Sequence, residues 1–167
     1  TGSKPLLYGL WRLDRDLDHV VLVEGESDCH TLWSHGINAV GLPGASSYSD
    51  DRDSPHLESF GSIYIVIEPG ASGEAMLQGI ARSRIRERVR LVRLGEFKDP
   101  SALHVADPAQ FPPRWEQALQ ASVSWTEHAA IDEGDRRQEA WRRCEDLARN
   151  PNILNEVYDI ICKRGFV

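Results

Sequence analysis

The fold is decided by residues 20–28, Val20-Val-Leu-Val-Glu24-Gly25-Glu-Ser-Asp28, where an apolar run stops at an acidic residue and a glycine. Four consecutive β-branched and aliphatic residues are typical of a strand buried on both faces, as in a parallel sheet. In open α/β proteins the ligand site lies beyond the carboxyl ends of such strands. The two acids would stand there, and Gly25 would let a ligand approach the backbone. The stretch therefore predicts a site for metal or phosphate chemistry.

Three further apolar runs predict the remaining strands, and the segments between them predict helices. Strands that alternate with helices at this spacing imply right-handed crossovers and a parallel sheet. The expected fold class is α/β, a Rossmann-like, four-stranded, mainly parallel sheet flanked by helices. Ser54-Pro55 is compatible with either a helix or a turn. We predict strands at 19–23, 37–42, 62–67 and 90–94, a helix from an N-cap at Ser27 to Gly36, and a helix from Glu74 to about Arg88.

Changes in composition divide the chain into three parts. Residues 1–18 are predicted to be a lead-in, whose Thr1-Gly-Ser3 is typical of an expression-vector remnant. Residues 19–120 are predicted to form the α/β domain. Residues 121–167 are predicted to be a helical extension or a linker to a downstream domain, with helices at about 125–149 and up to Lys163. We therefore expect the chain to belong to a larger protein.

The bulk composition is that of an ordinary globular protein. Hydrophobic residues make up 41% of the 167 residues and charged residues 27%, which is enough for one domain with a sizeable core. No apolar run approaches the roughly 18 residues of a membrane span, so we expect a cytoplasmic protein with no membrane partner. The three cysteines are widely spaced, with no Cys-x-x-Cys pair, which argues against a disulfide framework and a zinc site.

The net charge of −7 argues against strong DNA binding by this chain alone, because non-specific affinity comes from neutralising phosphates. It fits a carboxylate site that needs a cation before a phosphate can approach. Arginines cluster at residues 82–90, where Arg82 and Arg84 are candidates for contacts with nucleic acid or phosphate. The alternative for this cluster is a solvated helix face.

Acidic residues follow the ends of three predicted strands. Glu24 follows the first strand, Glu68 the third, and Asp99 lies just beyond the fourth. Parallel strands present their carboxyl ends at one edge of a sheet, so these side chains could converge. Hard oxygen ligands on a rigid edge suit Mg²⁺, which would neutralise charge on a phosphoryl group during its transfer. The alternative is that acids end strands because loops are polar.

The run from Glu24 to Asp28 resembles the first motif of the Toprim domain, the metal-binding module shared by bacterial primases, type IA and type II topoisomerases and OLD-family nucleases. Together with Gly41-Leu-Pro-Gly-Ala-Ser46, it is most similar to primase-like proteins of phages, plasmids and integrated mobile elements. Lys98-Asp-Pro-Ser-Ala-Leu103 resembles the Lys-Asp-Pro-Ser-Asp-Leu stretch of primase-type Toprim proteins. The resemblance covers about residues 5–115 and implies a Toprim fold.

The resemblance implies roles for individual residues. Glu24 would act as general acid or base, or as a metal ligand, and Lys98 would face a phosphate. Mg²⁺ or Mn²⁺ is the implied cofactor. The backbone at Gly25 and Gly44 could contact phosphate, although Pro43-Gly44 lacks the lysine of a P-loop and a simple turn is the favoured alternative there. The implied metal ligands are Glu24, Asp28, Glu68 and Asp99.

One position departs from the family pattern. The second Toprim motif is usually Asp-x-Asp, and in the mobile-element group it is often Glu-Pro-Asp, whereas this chain has Glu68-Pro69-Gly70. Two carboxylates two residues apart can bind one or two cations, whereas a glycine offers only its backbone atoms as ligands. Compensation by Ser72, Glu74 or Asp28 is left open.

The resemblance implies metal-dependent nucleotidyl transfer, that is, RNA primer synthesis on a single-stranded DNA template from nucleoside triphosphates during DNA replication. Zinc-binding and helicase domains of a larger parent protein are the implied partners. Two alternatives stay open: a degenerate, non-catalytic Toprim scaffold that binds nucleic acid or a partner domain, and an OLD-like nuclease. The scattered tryptophans are predicted to be core or domain contacts rather than a base-stacking platform.

Overall fold

A computed structural model of the protein describes residues 6–149, except for the side chains of residues 147 and 148. The helix expected to end at Lys163 lies outside this range. The chain divides into two compact units, Thr1–Glu127 and His128–Val167. The first unit includes residues beyond the domain boundary expected after residue 120. No helix among the described residues is both long enough and apolar enough to cross a membrane.

The first unit is built on a five-stranded sheet of order β2-β1-β3-β4-β5. The pairs β1–β2, β1–β3 and β3–β4 are parallel, and β5 pairs antiparallel with β4. The α/β fold class is confirmed, with five strands instead of the expected four. The strands are β1 (His19–Glu24), β2 (Ala39–Leu42), β3 (Ser62–Val66), β4 (Val89–Val92) and β5 (Val123–Ser124).

Within residues 6–149, six α-helices accompany these strands. The segment that contains Ser54-Pro55, for which the sequence left helix and turn open, is helical. The helices are α1 (Glu26–Ser34), α2 (Asp50–Leu57), α3 (Ala71–Ala81), α4 (Pro100–Ala106), α5 (Phe111–Gln120) and α6 (Trp125–Ala148). Three short 3₁₀ helices lie at Leu10–Arg12, Ala45–Ser47 and Arg86–Arg88.

Strand β1 is an interior strand, between β2 and β3, and its apolar run is buried on both faces. Val20 and Leu22 point into one core layer, which contains Ile63 and Ile65 of β3. Val21 and Val23 point into the other layer. A strand with two buried faces needs a continuous apolar sequence, which explains why this run was readable from the sequence.

Three predicted helix boundaries are wrong. Helix α1 begins at Glu26, because Gly25 and not Ser27 occupies the N-cap position. Helix α3 begins at Ala71, after an N-cap at Gly70, and it ends at Ala81 rather than near Arg88. The arginine-rich segment from Arg82 therefore forms a turn and a 3₁₀ helix before β4, and it is not a helix face.

Additional backbone pairing occurs at the β2 edge of the sheet. Tyr8 forms an antiparallel bridge with Gly41 of β2, through Tyr8 N–Gly41 O (2.7 Å) and Gly41 N–Tyr8 O (3.0 Å). The lead-in segment thus packs beside the outer parallel strand.

Gly73 lets α3 pack closely on the loop that carries Glu68. A Cβ atom at residue 73 would overlap the Glu68 carbonyl oxygen and lie 2.8 Å from Ile67 Cγ2. At Gly79, on the same helix, a Cβ would lie at ordinary contact distance, 3.5 Å from the Tyr48 ring. The two glycines therefore differ in the space available to a methyl group.

We expect Gly73→Ala to lower the free energy of unfolding by about 1–3 kcal/mol, because overpacking displaces backbone. Gly79→Ala is the matched control and should raise it by about 0.4–1 kcal/mol, since alanine restricts the unfolded chain. Urea unfolding measures both values. Equal effects of the two substitutions would contradict the close packing of α3 on the Glu68 loop.

Candidate metal centre

Three carboxylates meet at the carboxyl edge of the sheet. Asp28 lies in the first turn of α1, Glu68 lies two residues after β3, and Asp99 lies beyond β4. One oxygen atom of each side chain is within 4.8 Å of the others. Asp28 is 3% exposed and Asp99 is 5% exposed. This arrangement places hard oxygen ligands at the spacing that one divalent cation needs.

Asp28 is held in place by Ser101 of helix α4. The Asp28 Oδ1 atom accepts hydrogen bonds from Ser101 N at 3.1 Å and from Ser101 Oγ at 2.6 Å. Thr31, one turn further along α1, contacts Ser101 Oγ at 3.2 Å. These contacts join α1 to α4 and leave the second Asp28 oxygen without a hydrogen bond from residues 6–149.

Asp99 caps the N-terminus of α4 and contacts Lys98. Its Oδ1 atom accepts a hydrogen bond from Ala102 N at 2.7 Å, the usual N-cap interaction. Its Oδ2 atom lies 2.6 Å from Lys98 Nζ. The Lys98 side chain is largely exposed, so its ammonium can leave when a cation arrives. Glu68, in contrast, accepts no side-chain hydrogen bond within the described part of the chain.

Glu24 stands beside the three-carboxylate cluster but is not one of its members. It is the last residue of β1, and it accepts a hydrogen bond from the Ser72 hydroxyl in the first turn of α3. The expectation from strand ends was convergence of Glu24, Glu68 and Asp99. The structure brings Glu68 and Asp99 together with Asp28, because the first turn of α1 returns over the same edge.

Burial and neighbouring negative charges raise the pKa values of two carboxyl groups at this edge, Glu68 and Asp28. The pKa of Glu68 is raised by burial first and then by the negative charge of Glu24, while Lys98 opposes the rise. Burial also raises the pKa of Asp28, and its hydrogen bond from Ser101 opposes that rise. The pKa of Lys98 is raised by its hydrogen bond to Asp99. Clustered carboxylates with raised pKa values are stabilised by a bound cation.

Two glycines with positive φ lie between a strand and the helix that follows it, one between β1 and α1 and the other between β3 and α3. Gly25 precedes α1 with φ +92° and ψ 168°, and Gly70 precedes α3 with φ +83° and ψ −156°. Only glycine adopts this backbone region without strain. No atom lies within 4 Å of a Cβ built at either position. The Toprim pattern would have an acid at residue 70, and the backbone conformation at Gly70 disfavours any side chain.

The two arginines predicted to contact phosphate lie elsewhere. Arg82 follows the last residue of α3, whose 11 residues span about 16 Å from the Gly70 end. Arg84 is paired with Asp50 at 3.0 Å and with Asp51 at 3.1 Å. Gly44 lies after β2, before the 3₁₀ helix Ala45–Ser47. The structure does not bring either arginine to the acidic cluster.

Sequence reasoning missed the role of Ser101 and left Ser72 only as an open compensation for Gly70. Both residues lie in the first turn of a helix that follows a strand, and both hydroxyls donate to a carboxylate of the site. Ser101 lies two residues after Asp99 in the stretch Lys98-Asp-Pro-Ser-Ala-Leu103. This spacing was the sequence feature from which its place near the site could have been inferred. The orientation of Ser72 depends on the start of α3, which was predicted three residues too late.

The backbone at residue 70 predicts a stability effect. We expect Gly70→Ala and Gly70→Asp each to lower the free energy of unfolding by about 1–3 kcal/mol, because both force a side chain into the glycine region. Gly134→Ala, in open space on helix α6, is the control and should be neutral or stabilising. Chemical unfolding gives all three values. A Gly70→Ala variant as stable as the parent would exclude backbone strain at this position.

The raised pKa of Glu68 predicts a pH-dependent gain in stability. A carboxyl group whose pKa is higher in the folded state stabilises the fold at pH values below its ordinary pKa of 4.5. This contribution is lost as the pH rises through the pKa of the folded state. Without metal, Glu68→Gln should therefore be more stable than the parent at neutral pH. The gain should shrink as pH falls towards 4.5. Thermal unfolding at several pH values tests this, with the exposed Glu58→Gln as control; a constant difference would contradict it.

Comparison with known proteins supports a primase-like fold. No protein-family model matches the sequence, and no curated protein does. Solved structures do match. A DNA primase domain from Pseudomonas aeruginosa has 26% identity and a TM-score of 0.59, over 76% of this chain and 42% of that one.

Two further matches have lower identity and bear on the fold alone. The DnaG catalytic core has 18% identity and a TM-score of 0.59, over 95% of this chain and 56% of that one. The DnaG primase catalytic domain bound to single-stranded DNA has 20% identity and a TM-score of 0.56, over 80% of this chain and 44% of that one. The chain thus spans about half the length of the structures that it matches, and its fold is that of a primase catalytic core.

Proposed function

We propose that this chain is the Toprim domain of a DNA primase-like protein and that it takes part in metal-dependent nucleotidyl transfer. The observation that carries the proposal is the meeting of Asp28, Glu68 and Asp99 within 4.8 Å at the carboxyl edge of the sheet. A purely structural cluster would not need three carboxylates so close together, because buried like charges repel one another. A divalent cation would compensate that repulsion.

The residues divide into metal ligands and groups that act on substrate. Asp28, Glu68 and Asp99 would hold Mg²⁺ or Mn²⁺, since these metals prefer carboxylate oxygens. The metal would neutralise charge on the phosphates during transfer. Glu24, held by Ser72, would act as general acid or base beside the metal, or as a further ligand. Lys98 would release Asp99 and bind a phosphate oxygen, and the open backbone at Gly25 would let that phosphate approach.

The proposed substrates are a single-stranded DNA template and nucleoside triphosphates. One matched structure is of a primase domain bound to single-stranded DNA, which supports this choice. The chain covers only part of such proteins, so zinc-binding and helicase domains are proposed partners. Its motifs favour a replication protein of a phage, plasmid or integrated element, which would act in the cytoplasm.

A second candidate is a non-catalytic Toprim scaffold that binds nucleic acid or a partner domain. Gly70 favours it, because the second motif has lost one carboxylate and the backbone there disfavours its return. Asp28 and Asp99 each have one oxygen committed to the protein, to Ser101 and Ala102. In this candidate the acidic cluster would bind metal weakly or not at all.

Manganese titration by calorimetry separates the two candidates. We expect saturable binding of Mn²⁺ to this chain at neutral pH, lost in Glu68→Ala and unchanged in Glu58→Ala, whose side chain is exposed and forms no ion pair in residues 6–149. Binding should weaken as pH falls, since protons compete for Glu68 and Asp28. No saturable binding in the parent would favour the scaffold.

Primer synthesis on single-stranded DNA, measured with the protein in its full natural length, tests the activity itself. Glu24→Gln should abolish the product while Mn²⁺ binding through the other three carboxylates is retained. Product formation unaffected by Glu24→Gln would remove this residue from the reaction.

A further inference from the structure

A cavity lies beyond the end of β4, and none of the three clustered carboxylates lines it. It has a volume of about 360 Å³ and lies between the loop that follows β4 and one face of α5. This volume is at the lower end of the range of about 300–1,000 Å³ typical of small-molecule sites. The lining residues that matter here are Arg93, Glu96, Phe97, Leu103, Arg114 and Gln117.

Two arginines of this cavity have no carboxylate partner. Within residues 6–149, neither Arg93 nor Arg114 forms an ion pair, although Arg52 and Arg84 each do. Glu96 also lines the cavity but does not come within ion-pair distance of either. Two unpaired guanidinium groups at one cavity of a chain with a net charge of −7 favour an anionic ligand. The planar guanidinium group of an arginine can donate two hydrogen bonds to the oxygens of one phosphate.

The remaining surface of the cavity suits a flat apolar group. Phe97 is partly buried, and the Arg114 guanidinium lies 5.4 Å from the centre of its ring. Leu94 and Leu103 are buried and supply an apolar floor. Aromatic rings and arginine planes are the surfaces on which nucleobases stack. Phosphate-binding groups beside a stacking surface therefore occur in one cavity of mononucleotide size.

We propose that this cavity binds a single nucleotide, with its base against Phe97 and Leu103 and its phosphate on Arg93 and Arg114. The inference rests on the proposed function for the identity of the substrate, but its geometry is independent of the acidic cluster. The two sites are linked through the chain, since Phe97 precedes Lys98 and Leu103 lies on the helix that Asp99 caps. The nucleotide could be a free triphosphate or one unit of a strand.

Binding without metal tests this inference apart from the acidic site. In the presence of EDTA, we titrate the chain with ATP, with inorganic triphosphate and with a short 5′-phosphorylated oligodeoxynucleotide. Arg93→Gln and Arg114→Gln should each weaken nucleotide binding about tenfold or more, because each removes a charge-assisted contact. Arg88→Gln is the matched control, since this exposed arginine precedes β4 whereas Arg93 follows it. Its affinity should match that of the parent.

Phe97→Leu separates recognition of the base from that of the phosphate. It should weaken the binding of ATP more than that of inorganic triphosphate, because the ring that the base would contact is lost while both arginines remain. ATP that competes with the oligonucleotide would identify a free-nucleotide site, and binding of the oligonucleotide alone would identify a strand site. Unfolding midpoints confirm that each variant is folded.

Two results would overturn the inference: no binding of ATP or oligonucleotide at millimolar concentration, or binding that both arginine substitutions leave intact. The proposed function fails separately. If Glu68→Ala leaves nucleotide binding intact and the full-length protein makes no primer, the cavity assignment stands and the primase assignment does not.

Discussion

Burial of like charges at one edge of the sheet is the constraint on which the candidate site depends. Asp28 and Asp99 are almost fully buried, and Glu68 adds a third carboxylate within 4.8 Å. Ser101, the backbone N–H of Ala102 and the ammonium of Lys98 each compensate part of this charge. The repulsion that remains makes the edge a candidate cation site. The clustered carboxylates therefore lower the stability of the fold at the place where the proposed chemistry would occur.

Much of this arrangement could be predicted from the sequence because β1 is buried on both faces. A continuous apolar run followed by Glu24-Gly25 marks both the strand and the edge where it ends. The third strand and Glu68 follow the same logic. Asp28 was implied by the resemblance, but its place in the cluster depends on how the first turn of α1 is rotated. Strand periodicity carries no information on that rotation.

Other features had no readable signal. Strand β5 has two residues, too few for an alternating pattern, and it is held by pairing with β4. The arginine-rich stretch contains no proline or glycine, so nothing in it marked the end of α3 at Ala81. The start of α3 was misplaced because Gly70 adopts an N-cap conformation that residue type alone does not specify. Side-chain partners such as Asp50 for Arg84 come from distant sequence.

The bridge between Tyr8 and Gly41 covers part of one margin of the sheet. An unpaired outer strand presents free N–H and C=O groups that can template pairing with another molecule. Here the lead-in covers part of β2, and β5 covers part of β4 on the opposite side. A shortened protein that begins after Tyr8 would lose Leu7, which is buried in the core, and would expose β2 to intermolecular pairing. The lead-in thus contributes both to the core and to the cover of the β2 edge.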